Sequence, residues 1–141
     1  LYFIDSSLVC ALTRQPDAQS ALAGQMGGAL FEGLIVSETI KAFTHNGKRA
    51  DCYYWRSHDG MEVDLLVQVQ GKYLPVEIKL TSTPTLKHIQ PLNKFKTLAG
   101  KDASATGILV CRTRQKIQMP DNNIALPWHQ YPKYISELIG K

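Results

Sequence analysis

The chain has 141 residues and a formal net charge of +4 at pH 7, with 44% hydrophobic and 20% charged residues. This composition excludes intrinsic disorder as the main state, and the length fits one folded domain with its own core. The sequence has no apolar run near the ~20 residues that cross a bilayer and no signal-peptide pattern, so we expect a soluble, cytoplasmic protein without a membrane segment.

The cysteines and the charge balance narrow the function classes only slightly. Cys10, Cys52 and Cys111 are widely spaced in apolar segments, which predicts reduced core residues rather than a disulfide or a zinc site. The modest basic excess permits nucleic-acid binding but does not demonstrate it. The sequence also lacks a GxxxxGK[ST] loop, so we do not expect this chain to bind ATP by itself.

The first residues predict a lead-in to the main domain. Residue 1 is Leu, and the chain opens on an apolar run over residues 1–4 that predicts a short strand. Asp5 or Ser6 is suited to cap a small helix that follows. We therefore expect residues 1–24 to be a strand and short helix left from a longer parent protein, and residues 25–141 to form the principal domain.

A long helix is predicted between Gly27 and the Asn46-Gly47 stop signal. Glu32 and Glu38 lie in it six residues apart, which separates them by about 120° around the axis, so both cannot point at one place. Glu32 has apolar neighbours on its own side, an unusual setting for a surface carboxylate, and we favour it as functional. Glu38 is followed by Lys41, which makes a surface ion pair the preferred interpretation there.

A strand over residues 52–56 precedes a predicted two-stranded hairpin over residues 62–79. The hairpin has apolar residues at every second position before and after the turn: Val63, Leu65, Val67 and Val69, then Leu74, Val76, Ile78 and Leu80. This alternation is typical of strands with one buried face.

The turn fixes which side chains of the hairpin face each other. If Gln70 and Gly71 form a two-residue loop, the register places Asp64 opposite Glu77 and Glu62 opposite Lys79. Opposed side chains have Cβ atoms roughly 5 Å apart. Three carboxylates and one ammonium group would then share one face at the end far from the turn.

This acidic cluster has two interpretations. The structural one is a solvated face with a cross-strand ion pair between Glu62 and Lys79. The functional one is a metal site, because Glu77 beside Asp64 places like charges together unless a cation or a raised pKa relieves them. We favour the metal site.

The second half of the chain predicts a helix, a strand and a final helix. A helix start is expected at residues 82–84, with a kink or break at Pro91. A buried strand follows over residues 105–111, and a short helix over residues 134–139 is expected to pack back on the core. Basic and polar side chains suited to nucleic acid, or to a solvated surface, are Arg56, Lys87, Gln90, Arg112 and Arg114.

The motifs and their order resemble a known superfamily. Helix, three strands, helix and strand, with Asp64 and then Glu77-Ile78-Lys79 on the hairpin and Glu32 in the first helix, resembles the PD-(D/E)XK nucleases. The motifs Gly28-Ala-Leu-Phe-Glu32, Tyr53-Tyr-Trp-Arg56, Glu62-Val-Asp64 and Pro75-Val-Glu-Ile-Lys79 also look like the uncharacterised domain that follows an AAA-type ATPase module in many prokaryotic proteins. The superfamily often has Pro before its Asp, where this chain has Val63.

The resemblance implies a fold, a cofactor and a reaction. The fold would be α/β with a restriction-endonuclease-like αβββαβ core, in which a mixed central sheet is flanked by helices. Mg²⁺ or Mn²⁺ would be held by Asp64, Glu77, the Ile78 carbonyl and Glu32. Lys79 would assist phosphodiester hydrolysis of DNA, with Glu62 holding its ammonium group and Glu38 as a further supporting carboxylate.

Two other functions use the same residues differently. A catalytically inactive nuclease-like fold would bind DNA or protein and regulate the attached ATPase. A purely structural module would simply solvate its carboxylates. Binding of a divalent cation that depends on Glu77 distinguishes the first hypothesis from the other two.

Overall fold

The computed structural model describes residues 5–140, and the strand predicted over residues 1–4 lies outside that part of the chain. The helices are α1 Ser6–Leu12, α2 Ala18–Ala23, α3 Gly27–His45, α4 Leu86–Ala99 and α5 Tyr131–Gly140, with a 3₁₀ turn at Gly100–Asp102. The strands are β1 Cys52–Arg56, β2 Glu62–Val69, β3 Lys72–Ile78, β4 Gly107–Cys111, β5 Ile117–Met119 and β6 Asn123–Pro127. The predicted order of helix, three strands, helix and strand is confirmed.

Six strands form one mixed sheet in the order β1-β2-β3-β4-β6-β5. Strands β1, β2 and β3 are antiparallel neighbours, β3, β4 and β6 are parallel, and β5 is antiparallel to β6. The ends of β1, β3, β4 and β6 therefore meet the starts of β2 and β5 at one edge of the sheet. We call this edge the carboxyl edge.

Helices cover both faces of the sheet. Helices α3 and α5 share one hydrophobic cluster with Leu65, Val76 and Val110 of the sheet. Helix α4 packs on the other face, through a second cluster that contains Leu66 and Leu109. The two short helices α1 and α2 contact α3. The chain is therefore a mixed α/β protein with a three-layer core.

The hairpin turn is the predicted two-residue loop. Gln70 and Gly71 have φ angles of +52° and +73°, the left-handed conformation that both central residues of a type I′ turn adopt. Val69 faces Lys72, and the pairing continues two by two to Leu65 and Val76. The predicted register is confirmed over this stretch.

The alternation fails at the far end of β2. Tyr53 of β1 faces Leu66, but Trp55 faces Val63, so β2 has one more residue than β1 between the two pairs. A bulge of this kind turns later side chains to the other face. Val63 consequently packs in the α4 cluster, and the prediction that it shares a face with Leu65 is wrong.

The second half of the chain departs from prediction in three places. Helix α4 begins after Thr85, whose hydroxyl forms a capping box with His88, rather than at residues 82–84. Pro91 lies inside one continuous helix, so a break into two helices is wrong, and a kink at Pro91 stays a prediction. Strands β5 and β6 form an additional hairpin that the sequence patterns did not indicate.

Two expected features concern the whole chain. The cysteines Cys10, Cys52 and Cys111 form no disulfide with one another; Cys111 is buried, as predicted for a core residue, whereas Cys10 and Cys52 are only half-buried. Within residues 5–140, no helix combines the length and the apolar character needed to cross a bilayer.

Candidate functional site

Asp64 occupies the gap where β2 and β3 stop pairing. The last paired residues are Leu65 and Val76. Beyond them the Ile78 backbone N–H donates to Asp64 Oδ2 over 2.8 Å, so a side chain takes the place of the next backbone acceptor. The bulge in β2 therefore directs a carboxylate between the two strands.

Lys79 links this carboxylate to the next one. Its Nζ lies 3.1 Å from Asp64 Oδ2 and 2.7 Å from Glu77 Oε1. The two carboxylate oxygens are therefore no farther apart than the sum of those distances. The predicted convergence of Asp64, Glu77 and Lys79 is what the structure shows, in a cluster that grades from the buried Glu77 to the half-exposed Lys79.

Glu77 is the most unusual member of the cluster. Its side chain is only 4% exposed, and its neighbours Val76 and Ile78 belong to the opposite cluster, so it points to the α4 face. Oε1 contacts Lys79, but Oε2 is buried without a hydrogen-bond partner, the only side-chain oxygen or nitrogen of that kind in the described residues. Such an atom costs free energy unless a further ligand satisfies it.

Burial and charge perturb both ionisable partners. Desolvation, aided by the negative charge of Asp64, raises the pKa of Glu77 from 4.5 to about 7 even though Lys79 opposes the shift. Desolvation works against the charged form of Lys79, but its contacts with Glu77 and Asp64 together outweigh this and raise the Lys79 pKa. A carboxyl group buried beside a second carboxylate has two reasons to hold its proton, the loss of solvation and the neighbouring negative charge.

The remaining predicted carboxylates lie elsewhere. Glu62 forms an ion pair with Arg56 at 3.2 Å, so the predicted pairing of Glu62 with Lys79 is wrong, because the bulge shifts the register between them. Glu38 pairs with Lys41 at 2.8 Å, which confirms the surface interpretation.

Glu32 does not join Asp64 and Glu77 in a three-carboxylate group. It is half-buried on α3, the helix on the face opposite to the Glu77 side chain. Among residues 5–140, no group of three or more His, Cys, Asp or Glu side chains is arranged to hold a metal ion. The site therefore contains two acidic side chains, those of Asp64 and Glu77.

The donor set nevertheless fits a hard cation. Mg²⁺ takes oxygen ligands, keeps several waters, and is commonly bound through one or two carboxylates together with substrate phosphates. Two adjacent carboxylates, one with an orphaned buried oxygen, supply that set without a third acid. The part of the Ile78 carbonyl in such a site stays a prediction.

The side chains predicted to suit phosphate contact are exposed. Arg56, Lys87, Gln90, Arg112 and Arg114 all reach solvent. Two aromatic residues were missed by sequence reasoning. Tyr54 is 56% exposed and hydrogen-bonds Glu62, and Trp128 is 41% exposed. No local pattern singled out either residue, because β1 has three aromatic residues in succession and its burial does not alternate.

Comparison with known proteins places the chain in a family without giving it an activity. Two uncharacterised mycobacterial proteins, from Mycobacterium bovis and Mycobacterium tuberculosis, are each 30% identical to it over 86 residues, or 61% of this chain. The chain spans about a fifth of the length of these relatives, 19% of each. No solved structure matches it significantly. A family model described as a domain of unknown function, DUF4143, matches residues 27–131. Because that match includes β1 to β6 and the whole of the candidate site, the chain belongs to the DUF4143 family.

Proposed function

We propose that the chain is a divalent-metal-dependent nuclease domain that hydrolyses phosphodiester bonds of DNA. The single observation that carries the proposal is the buried Glu77 carboxylate, with one oxygen unpartnered, held against Asp64 and Lys79 at the open end of the β2-β3 hairpin. The oxygens of structural carboxylates are normally satisfied or solvated, and Oε2 of Glu77 is neither.

The proposed fold assignment is a restriction-endonuclease-like core within residues 25–141. The order α3-β1-β2-β3-α4-β4 and the mixed sheet are consistent with the αβββαβ arrangement of PD-(D/E)XK nucleases. In that arrangement Asp64 lies on the second strand, and Glu77 and Lys79 lie on or just after the third. Residues 1–24 would be the lead-in from a parent protein that carries an AAA-type ATPase module.

Asp64, Glu77 and the Ile78 carbonyl would hold Mg²⁺ or Mn²⁺ at this site. The ion would supply Lewis-acid polarisation of the phosphate and a more acidic water. The residues of the chain have separate tasks. Asp64 and Glu77 fix the position of the Lys79 ammonium group through contacts of 3.1 and 2.7 Å. Lys79, which is 39% exposed, presents the remaining side of its ammonium group to an incoming phosphate and screens the charge that develops there.

A second candidate function has its own supporting observation. Lys79 already neutralises part of both carboxylates, and the described residues contain no three-acid group. This favours a nuclease-like domain that has lost catalysis, binds DNA or protein, and regulates the attached ATPase. The two functions differ in whether Mg²⁺ binds at Glu77 and whether DNA is cleaved.

The test is calorimetric titration of the metal-free chain with Mg²⁺ and Mn²⁺, together with cleavage assays on DNA. We expect binding in the native sequence and no binding in Glu77→Gln, which keeps the shape of the side chain but removes its charge. Lys79→Ala should lower the cleavage rate by about 10²–10⁴-fold, the range for loss of one positioned catalytic group.

Glu137→Gln is the matched control, because Glu137 is a solvent-exposed carboxylate of α5. It should behave like the native chain in both assays. Duplex binding without cleavage by either ion would favour the second function. Cleavage that survives Lys79→Ala unchanged would point to a contaminating nuclease and defeat the proposal.

A further inference from the structure

Charged and aromatic side chains line the carboxyl edge beyond the candidate site. Arg112 directly follows β4, and its backbone N–H donates to the Thr81 carbonyl over 2.7 Å. Trp128 directly follows β6, and its N–H donates to the Cys111 carbonyl over 2.9 Å. These bonds fix Arg112 at the end of β4, the strand next to β3 and Lys79, and Trp128 at the end of β6, one strand farther along the sheet. Neighbouring strands are about 5 Å apart, so Trp128 lies on a strand about 10 Å from that of Lys79.

A groove opens at this part of the edge. It has a volume of about 730 Å³ and lies between the short helices α1 and α2, the start of α3, and the pair Arg112 and Trp128. Most of its wall is apolar, including Leu30 and Leu34 of α3. Its size is in the range of pockets that hold nucleotide-sized ligands.

The polar groups of the groove are unevenly placed. Arg112 supplies the positive charge at the edge. The acid in the lining is Asp17, whose carboxylate accepts the Ser20 N–H and so caps α2. The positive end of the groove is therefore the end nearest to the candidate phosphodiester site.

We infer that the groove receives an unpaired nucleobase of a nucleic-acid strand that runs along the carboxyl edge, with Trp128 stacking on the base and Arg112 contacting the adjacent phosphate. This inference rests on the proposed function, since it names single-stranded or frayed nucleic acid as the substrate class of that site. These groups match two parts of a nucleotide: the apolar wall and the exposed indole suit a flat base and its π face, and the guanidinium suits an anionic phosphate.

The position of the groove agrees with the general behaviour of sheets. In open α/β sheets, ligands bind in crevices outside the carboxyl ends of the strands. A base paired inside a duplex cannot enter a groove beside the sheet, whereas an unpaired base can. The groove therefore selects for strandedness, and not for sequence, because every base has a face on which an indole can stack.

Binding without cleavage tests the inference. The probe is a fluorescently labelled single-stranded DNA of about a dozen nucleotides, compared with the same sequence as a duplex, in EDTA and at two salt concentrations. We expect tighter binding of the single strand, weakened in Trp128→Ala by roughly 5- to 150-fold, the range for loss of one stacked base. Trp128→Phe should keep most of the affinity, since the ring remains.

Arg112→Ala has a matched control in Lys101→Ala. Lys101 is an equally exposed cation, but it lies in the 3₁₀ turn before β4, at the opposite edge of the sheet. Arg112→Ala should weaken binding and lower the salt dependence by about one phosphate contact, and Lys101→Ala should do neither.

The possible results distinguish failure of the groove inference from failure of the nuclease proposal. If Trp128→Ala and Arg112→Ala bind single strands like the native chain, or if the native chain prefers duplex, the groove inference is wrong even where cleavage is observed. If the native chain cleaves nothing but Trp128→Ala loses single-strand binding that Trp128→Phe retains, the groove inference stands and the nuclease proposal fails.

Discussion

Two lysines in this fold, Lys79 and Lys96, sit among oxygen atoms, and their surroundings differ in charge and in whether every oxygen has a partner. Lys96 of α4 donates to the Asp121 carbonyl and to Asn123 Oδ1, while Asn123 Nδ2 donates to Asn93 Oδ1 over 2.7 Å. This polar clamp ties α4 to the β5-β6 hairpin. Lys79, by contrast, sits between two carboxylates.

The two clusters differ in whether their partners are satisfied. Around Lys96 the acceptors are neutral amide oxygens, and no buried side-chain atom there lacks a partner within the described residues. Desolvation lowers the Lys96 pKa, whereas the carboxylates raise that of Lys79. In the clamp every buried polar side-chain atom has a partner, whereas the Lys79 cluster keeps an excess of negative charge and an oxygen without a hydrogen-bond partner. This difference is why we propose a cation at the Lys79 cluster and none at the clamp.

The largest effect expected from this comparison is on folding stability. Lys79→Met would leave two adjacent carboxylates without their shared cation, and we expect a loss on the order of 3 kcal/mol in the free energy of unfolding at pH 8. Lys96→Met would leave only neutral acceptors unpaired, with a loss of about 1–3 kcal/mol. Urea unfolding measures both.

Magnesium gives this pair of variants its diagnostic value. Added Mg²⁺ should restore part of the stability of Lys79→Met, because a cation can replace the missing ammonium group between Asp64 and Glu77. It should leave Lys96→Met unchanged. Equal responses of the two variants to Mg²⁺ would remove the distinction between the clusters.

A second prediction uses the pH dependence of Glu77. Its pKa is about 7 in the folded chain and near 4.5 without the fold, so between these values the folded state holds a proton that the unfolded state has lost. Stability therefore falls as pH rises from below 4.5 to above 7. In Glu77→Gln this component disappears, and at pH 8 without metal the variant should be more stable than the native chain by on the order of 3 kcal/mol.

Unfolding curves at several pH values in EDTA would show this difference. The native chain should lose stability across that pH window relative to Glu77→Gln, and the two should converge near pH 4. Parallel profiles would mean that Glu77 is ionised in the folded chain at no cost, and its buried oxygen would then lose its significance.

A third prediction perturbs the clamp alone. A Cβ at Gly107 would lie 2.3 Å from Asn123 Oδ1 and 3.2 Å from the Leu92 side chain, so Gly107→Ala must push the clamp apart at a cost of about 1–3 kcal/mol. Gly33→Ala is the control, because its Cβ meets nothing within 4 Å on α3 and should stabilise the helix by about 0.5–1 kcal/mol. Gly107→Ala should leave the Mg²⁺ affinity unchanged, since β4 contributes no ligand. A large loss of affinity would mean that the clamp and the Lys79 cluster are energetically coupled.

The hairpin shows how far local sequence signals reach. Its register follows from alternating apolar residues and from Gln70-Gly71, which both accept positive φ, and this was enough to bring Asp64, Glu77 and Lys79 together. The bulge near Asp64 carries no local signal, because Val63 and Leu65 are both apolar and look the same whichever face each one occupies. The partner of Glu62 was therefore predicted wrongly.

Other features depend on packing between elements that are distant in sequence. Whether Glu32 approaches Glu77 is decided by which face of the sheet α3 covers, and helix periodicity cannot supply that information. Strand β5 has only three residues and is mostly exposed. Its sequence is too short to predict a strand, and only its pairing with β6 identifies it as one. The groove at Trp128 likewise exists only because α1 and α2 stand across from β6.

The smallest expected effect marks where the site ends. Arg56 and Glu62 form an ion pair with side chains that are 63% and 41% exposed, and such pairs contribute about 0–1 kcal/mol. Glu62→Gln should therefore change the free energy of unfolding by less than about 0.5 kcal/mol and leave Mg²⁺ affinity unaltered, whereas Asp64→Asn, two residues away, should lose metal binding. If Glu62→Gln lost Mg²⁺ affinity as Asp64→Asn does, the metal site would extend along β2 to the Arg56–Glu62 ion pair. The bulge in β2 would then not separate Asp64 from Glu62.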